Sequence, residues 1–423
     1  MTSGIGSGSN PDTRIQLNGA NGLSVLVIPA FKHPKRVSWS LPPSKSHMIR
    51  WIALAAQSRS ETELRFSGIP GEDICSMAHC MGKLGAKLDR KRDRWLVRGG
   101  LDGNGANRVV LDCGNSATTA RVVTSIAAGL RGTFLIDGDE SLRSRDSAEL
   151  NAALRSLGCN ITSDTMPFSI SGPIHTGSAT VDEAKSSQTI TGLMLASPGY
   201  PEGARIRVEG EGVSRGYREL TIDICRSCGW GGSIDSRSID IGQWEVKTPE
   251  IVEIPEEISL LPLSLLFDKL HGTKSLEVDL VNSDPWIMEA VNTAMSCNGG
   301  QVDLRDASDI IAPAAAIMAL GGGGTIVGSS HARGKESDRI ESTSRMLSSF
   351  GISSDERSDG LFIPGDQVPI SPSKPVDCKG DHRLAMTSIV LATAVGAEVQ
   401  GEQICSVTHP DFIEMLLGEK GGL

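Results

Sequence analysis

Aromatic side chains make up only 4% of this 423-residue chain, so its interior cannot be built mainly from packed rings. Glycine, at 48 residues, is plentiful instead, which suits aliphatic packing of helix on sheet with many tight turns. No apolar run approaches the ~20 residues a membrane-crossing helix needs. Basic excess is also missing: the net charge is −10, which argues against general affinity for nucleic acid or anionic membranes. Cys225 and Cys228 in "ICRSCGW" have no second close pair to complete a zinc centre. The nine cysteines are odd in number and scattered, as expected of packing thiols in a reducing cytoplasm. No G-x-x-x-x-G-K-[ST] loop is present, which points away from a nucleoside triphosphate. "GGGGT" at 321–325 follows an apolar helical run and reads as a turn. The opening "MTSGIGSGSNPD" lacks an apolar signal core, so residues 1–12 read as a flexible tail.

What is present is a repeat. An amphipathic helix, a glycine, a short alternating strand, a turn and another strand recur in "CMGKLGAKLDRKRDRWLVRGG", "ALRSLGCNITSDTMPFSISGP" and "ICRSCGWGGSIDSRSIDIG". Looser copies follow in "TAMSCNGGQVDLR" and "MLSSFGISSDERSDGLFIPG". The marker glycines are Gly85, Gly158, Gly229, Gly299 and Gly351, spaced 73, 71, 70 and 52 residues apart. Each suits a helix C-terminus, where a left-handed conformation costs other residues more. The period predicts α/β units that bury their helices against one another. Coincidental helix–glycine–strand pieces in an ordinary α/β chain are the competing reading. With 423 residues, two domains are expected.

Five helix beginnings carry an oddity. "HARGKESDRIESTSRML" reads as a helix from Lys335, which stacks Lys335 and Arg339 four apart at its start. Like charges at that spacing repel, and the helix dipole disfavours cations there. "LPPSKSHMIRWIALAA" sets Lys45, Ser46 and Arg50 around another entry, and "GNSATTAR" offers Asn115, Ser116 and Thr118 before Arg121. "SSQTITGLML" supplies Ser186, Ser187 and Gln188, and "GDHRLAM" places His382 and Arg383 at a fifth start. Taken singly, these are ordinary N-caps and solvated charges. Together they read as a site for more than one anion, with exposed N–H groups and guanidinium forks on the ligand's oxygens. Arg145 adds a further cation, and the expectation is that bound anions neutralise the cluster.

At these residues the sequence resembles the 5-enolpyruvylshikimate-3-phosphate synthase family. "PPSKSHMIR", "GNSATTAR", "GDESLRSRD", "SSQTITGLML", "VSRGY", "GKESDRI" and "GDHRLAM" run in family order from residue 42 to 386. The resemblance implies a mixed α/β (α+β) fold of two domains, each of three βαβαββ units with helices packed inside. Residues 44–251 would form the inserted domain, and 13–43 with 252–423 the discontinuous one. It implies transfer of the enolpyruvyl group of phosphoenolpyruvate to the 5-hydroxyl of shikimate-3-phosphate, without metal or cofactor, by a cytoplasmic monomer.

Carried over by position, Lys45, Ser46 and Arg50 match hinge residues that contact substrate. Ser186, Ser187, Gln188, Ser214 and Tyr217 match the shikimate-3-phosphate positions. Asn115, Ala117, Thr118, Arg145, Gln188, Arg339, His382 and Arg383 match the phosphoenolpyruvate positions, which Lys45 shares. Asp309 is expected as the base at the 5-hydroxyl and Glu336 as the acid at the methylene carbon, with Lys335 and Lys45 beside them. Four departures stand out. Val407 replaces the family's usual lysine, His331 replaces a common asparagine, and "IPEEISLLPL" with Glu257 replaces a Gly-Asp-Ser-Ser stretch. Ala117 stands where herbicide-sensitive members have glycine, so its methyl is expected to crowd glyphosate. A weakly active or non-catalytic relative binding the same anions, or a transferase with another acceptor, are the alternatives.

Overall fold

The computed structural model describes residues 14–17, 24–32, 37–101, 109–175, 177–235, 237–274 and 284–418; the 1–12 tail lies outside them. Among the described residues, five four-stranded sheets share one plan. In the first, Ile251–Glu253 pairs parallel with Glu61–Arg65, which pairs antiparallel with Arg94–Arg98, and Lys87–Arg90 closes the edge. Val109–Asp112, Gly132–Asp137, Phe168–Gly172 and Asn160–Ile161 repeat that order, as do Ser178–Asp182, Ala204–Glu209, Ser238–Ile241 and Ser233–Ile234. Gln301–Asp303, Gly324–Val327, Gly360–Ile363 and Asp355–Arg357 form the fourth. The fifth pairs Val376–Asp377 with Ala397–Gln400 and then borrows Ser24–Ile28 and Arg14–Leu17 from the chain's beginning. The first sheet takes its leading strand from residues 251–253, and the chain crosses between the two halves twice.

The repeat read from sequence is therefore real. Its marker glycines all have positive φ, between 72° and 114°. The short final spacing has a cause. The helix Pro285–Ser296 runs into Gln301–Asp303, the leading strand of the next sheet, across only residues 297–300. Among the described residues that unit has no closing hairpin. The 321–324 glycine run is a turn between the helix Ile311–Ala319 and the strand Gly324–Val327.

Helices lie inside and sheets outside. All nine residues of Ile311–Ala319 are buried, as are twelve of the fourteen in His382–Val395. A helix buried on every side must be largely apolar all round. Ile311–Ala319 reads IAPAAAIMA, and His382–Val395 is mainly Ala, Leu, Ile, Met and Val after its polar first turn, with Thr387 bonded back to the Arg383 carbonyl and Thr393 to the Val390 carbonyl. One core gathers residues from Met48 to Ile254, the other Leu26–Leu41 with Ile258–Leu417. Val252 and Ile254 pack in the first core. Cys225 and Cys228 are buried free thiols, and burial pushes Cys228 up to about 11.

Polar contacts tie the cores together around a cleft. Arg215 bonds Asp306 at 3.2 Å, Arg305 bonds Glu211 at 3.0 Å and His47 bonds Asp284 at 3.0 Å. Within the first core, the helices Ala117–Gly129 and Gln188–Ala196 approach closely because Gly192 faces the Arg121 carbonyl and Ser125 Oγ. An added Cβ would lie 2.9 Å from both atoms. Gly192→Ala is expected to destabilise the fold by about 1–3 kcal/mol, read as a lower urea midpoint at unchanged slope; an unshifted midpoint would show that the two helices separate freely.

Candidate functional site

A cavity of about 240 Å³ opens between the two cores. Helix starts border it, among them those of Lys45–Ala55, Ala117–Gly129, Gln188–Ala196 and Arg215–Ser227. Each brings a positive dipole end, with part of its first turn already bonded: Lys45 N–H to Glu257, Thr119 N–H to Ser116, Gln188 N–H to Ser186 and Arg215 N–H to Asp306. The cavity gathers most residues predicted from sequence: Lys45, Ser46, Arg50, Ala117, Thr118, Arg145, Ser186, Ser187, Gln188, Ser214, Tyr217, Asp309, Lys335 and Glu336. Asn115, Arg339, His382 and Arg383 do not line it; they form a buried layer behind.

That layer holds the lining in place. Asn115 Oδ1 accepts from Arg145 Nη2 at 3.1 Å, and its amide donates to Asp139 at 2.7 Å. Arg339 donates Nε to Asp381 at 2.8 Å, Nη1 to Asp309 at 2.6 Å and Nη2 to Glu336 at 2.5 Å. Asp381 also caps the His382–Val395 helix through the Arg383 N–H at 2.9 Å. Among the described residues, neither ring nitrogen of buried His382 has a hydrogen-bond partner, nor does Arg383 Nε.

Two expectations are corrected. The helix expected from Lys335 begins at Arg339, because Asp338 caps it by accepting from Ile340 and Glu341 N–H groups at 3.2 and 3.1 Å. Lys335 lies in the preceding loop, and Lys335 and Arg339 converge on Asp309 Oδ1 instead of stacking on one helix face. Nor are all the cations left for ligands to neutralise. Lys45 bonds Asp73 at 3.0 Å, Lys335 bonds Asp309 at 2.8 Å, and Arg145 lies 3.6 Å from Glu336. The lining holds Lys45, Arg50, Arg121, Arg145, Lys185 and Lys335 against Asp73, Asp146, Glu149, Asp309 and Glu336, close to balance.

The balance sets protonation. Burial pushes Asp309 up, but Lys335, Arg339 and Arg383 overcome it and hold the carboxyl well below its usual range. Burial likewise raises Glu336, and Arg339, Arg145, His382 and Lys45 drive it well down. Burial lowers Arg50 to about 10. Its guanidinium donates to Thr221, Thr191 and the Ser46 and Tyr217 carbonyls, so most of its donors are already used. Burial, with Lys335 next, lowers His331 to about 4, so the ring is neutral and bonded to Ser308 at 3.0 Å.

Sequence reasoning missed Asp73, Arg121 and Lys185 as cavity residues. Asp73 looks like any first-turn acid, whereas Arg121 had a signal in "GNSATTAR": it holds Gln188 Oε1 at 2.7 Å. Val407 is buried, and its carbonyl lies against Gly71, so its segment brings no cation to the cavity. Ser214, at φ 54°, starts its helix from a left-handed conformation fixed by its N–H on the Arg305 carbonyl at 3.0 Å.

Comparison with known proteins agrees with this geometry. Residues 35–251 and 273–416 match the family model for EPSP synthase (3-phosphoshikimate 1-carboxyvinyltransferase). The chain is 31% identical over 412 residues to the 3-phosphoshikimate 1-carboxyvinyltransferase of Methanopyrus kandleri, covering 89% of this chain and 94% of that one. Against the protein of the same name from Halobacterium salinarum it is 29% identical over 410 residues, covering 89% and 95%. Among solved structures, the EPSP synthase of Acinetobacter baumannii superposes with a TM-score of 0.71 at 19% identity, over 92% of this chain and 97% of that one. The enolpyruvyl transferase NikO from Streptomyces tendae superposes with a TM-score of 0.67 at 11% identity, over 93% and 97%. With the family model matched across both cores and the cavity between them, this chain belongs to the EPSP synthase (3-phosphoshikimate 1-carboxyvinyltransferase) family.

Proposed function

We propose that the chain transfers the enolpyruvyl group of phosphoenolpyruvate to the 5-hydroxyl of shikimate-3-phosphate, releasing phosphate, with Asp309 and Glu336 as its proton-handling pair. One observation carries the assignment: Asp309 and Glu336 line a cavity bordered by helix starts, and Arg339, buried behind them, joins both carboxylates to one guanidinium. In this reading Ser186, Ser187 and Ser214 hold the phosphate of shikimate-3-phosphate, and Tyr217 with Gln188 orients its ring. Arg145, Arg339 and Arg383 receive the phosphoenolpyruvate anion, with Lys45, Thr118, Asn115 and His382 around it. The domains are residues 44–254 and the combination of 13–43 with 255–423. A monomer in the cytoplasm suits two small soluble substrates and nine free thiols. No helix among the described residues is long and apolar enough to cross a membrane.

The chemistry follows from the charge balance. Before substrates bind, both carboxylates are ionised and pinned by cations, a poor acid and a weak base. Incoming phosphate and carboxylate groups compete for Arg145, Arg339 and Lys335. With those charges neutralised, burial dominates and both carboxyl pKa values rise. Glu336 then takes a proton, which it delivers to the methylene carbon, while Asp309 accepts the proton of the attacking hydroxyl. The new bond joins the 5-hydroxyl oxygen of shikimate-3-phosphate to C2. In the second half Glu336 removes a proton from the methyl group, the C2–O bond to phosphate breaks, the enol ether forms, and the proton held by Asp309 passes to the released phosphate, which restores both carboxyl groups. Helix dipoles and guanidinium groups stabilise the leaving phosphate.

Glu336→Gln keeps an acceptor for Arg339 but carries no titrating proton, and kcat is expected to fall about 10²–10⁴-fold. Asp309→Ala should show a loss of the same order in a phosphate-release assay; turnover near the parent's in either variant would reassign the roles. Because ligand binding raises Glu336 from a depressed value, binding should take up protons, more so as pH falls toward 6. Calorimetry in buffers of different ionisation enthalpy reads that uptake, and it should shrink in Glu336→Gln. Ala117, half-buried at the first turn of its helix, places a methyl on the cavity wall. Ala117→Gly is expected to strengthen glyphosate inhibition by roughly 10–200-fold; an unchanged inhibition constant would show that the methyl does not crowd the inhibitor.

A further inference from the structure

The two chain segments that cross between the cores lie side by side. Ser44 N–H donates to the Pro255 carbonyl at 2.8 Å and Glu257 N–H to the Pro42 carbonyl at 2.8 Å, around the Pro43–Glu256 bridge. This pairing seats the Glu257 side chain, 4% exposed, beside the start of the Lys45–Ala55 helix. Glu257 Oε2 accepts the Lys45 backbone N–H at 2.9 Å. That N–H is one of the four a helix start leaves unpaired, and a carboxylate suits the positive end. The helix's own cap is weak, with Ser44 Oγ 3.5 Å from His47 N. A helix of the first core is thus capped by a residue outside it, on the crossover.

The other oxygen, Glu257 Oε1, accepts from Ser259 Oγ. A hydroxyl has one proton, and here it is spent on the carboxylate, so Ser259 Oγ can only accept from Arg383 Nη2, 2.8 Å away. The Ser259 carbonyl takes Arg383 Nη1 at 3.1 Å. Arg383 is 3% exposed, and among the described residues no carboxylate lies within ion-pair distance of it. A buried guanidinium without a counter-charge is expensive; the carboxylate of Glu257 is one hydroxyl away. A direct ion pair would serve stability alone. The interposed serine instead gives the contact a fixed direction and links the Arg383 fork to the backbone that carries Lys45.

We infer that Glu257 and Ser259 are positioning residues, a relay that holds the Arg383 guanidinium in register with the start of the Lys45 helix across the crossover. Anion binding on one side of the cleft is thereby coupled to the other. The inference rests on the reading above, in which Arg383 receives phosphoenolpyruvate.

Ser259→Ala removes the relay hydroxyl and leaves the backbone carbonyl. The KM for phosphoenolpyruvate is expected to rise about 10–100-fold, with kcat near the parent's and the calorimetric Kd for shikimate-3-phosphate unchanged. Glu257→Gln should raise the same KM, and the double variant should cost no more than the worse single one, since both cut one path. An unchanged phosphoenolpyruvate KM in Ser259→Ala, an equal loss for both substrates, or multiplying effects in the double variant would overturn the relay. If Glu257→Gln does not fold, Ser259→Ala decides the matter alone, with its melting curve establishing a folded chain. Should the unsubstituted chain release no phosphate, the reaction assignment fails separately. The relay is then read by titrating phosphoenolpyruvate into parent and Ser259→Ala chains saturated with shikimate-3-phosphate, where equal affinities would overturn it.

Discussion

The site is organised by one buried guanidinium. Arg339, 2% exposed, is held by Asp381, Glu336 and Asp309, which come from three separate stretches of chain. Leaving a buried charge unpaired costs about 3–5 kcal/mol, so these stretches must meet for the second core to close. Asp381 is doubly committed, since it caps the His382–Val395 helix and accepts from Ser337 at 3.0 Å. The arginine therefore sets where the Lys335 loop runs, where the His382 helix begins and how the two carboxylates are spaced.

A cavity lined by near-equal opposite charges behaves differently from a basic pocket. An anion entering a basic pocket only gains attraction, whereas here it must displace carboxylates from their cations. In the proposed reaction the displaced carboxylates, buried and stripped of counter-charges, become proton acceptors. Binding and proton transfer are, on that proposal, two consequences of one redistribution of charge. The same economy operates at the crossover, where Glu257 caps a helix of one core while reaching, through Ser259, a cation of the other.

Much of this was legible in the residues. The helix–glycine–strand repeat foretold units that appear as five sheets of identical order, and the marker glycines carry the left-handed conformations expected of them. The short motifs foretold fourteen residues that line one cavity. Where the reading failed, a competing local interaction explains it. Asp338 captures the helix start beyond the expected one, which leaves Lys335 in a loop. Asp73 carried no signal because an acid in a first turn is ordinary, and only the fold brings it to Lys45.

Sequence alone determined the repeat, the inside position of the all-apolar helices, the family, and the supply of cations and hydroxyls at helix starts. Each of these rests on patterns within one or two turns of chain, where periodicity and capping act. Tertiary structure decided which carboxylate answers which cation, and so which groups are ionised. Lys45 and Glu257 are 212 residues apart and Arg383 and Ser259 124, distances across which no local pattern reaches. Protonation depends on the sum of all neighbouring charges and on exclusion of water, and both exist only once the two cores have closed around the cavity.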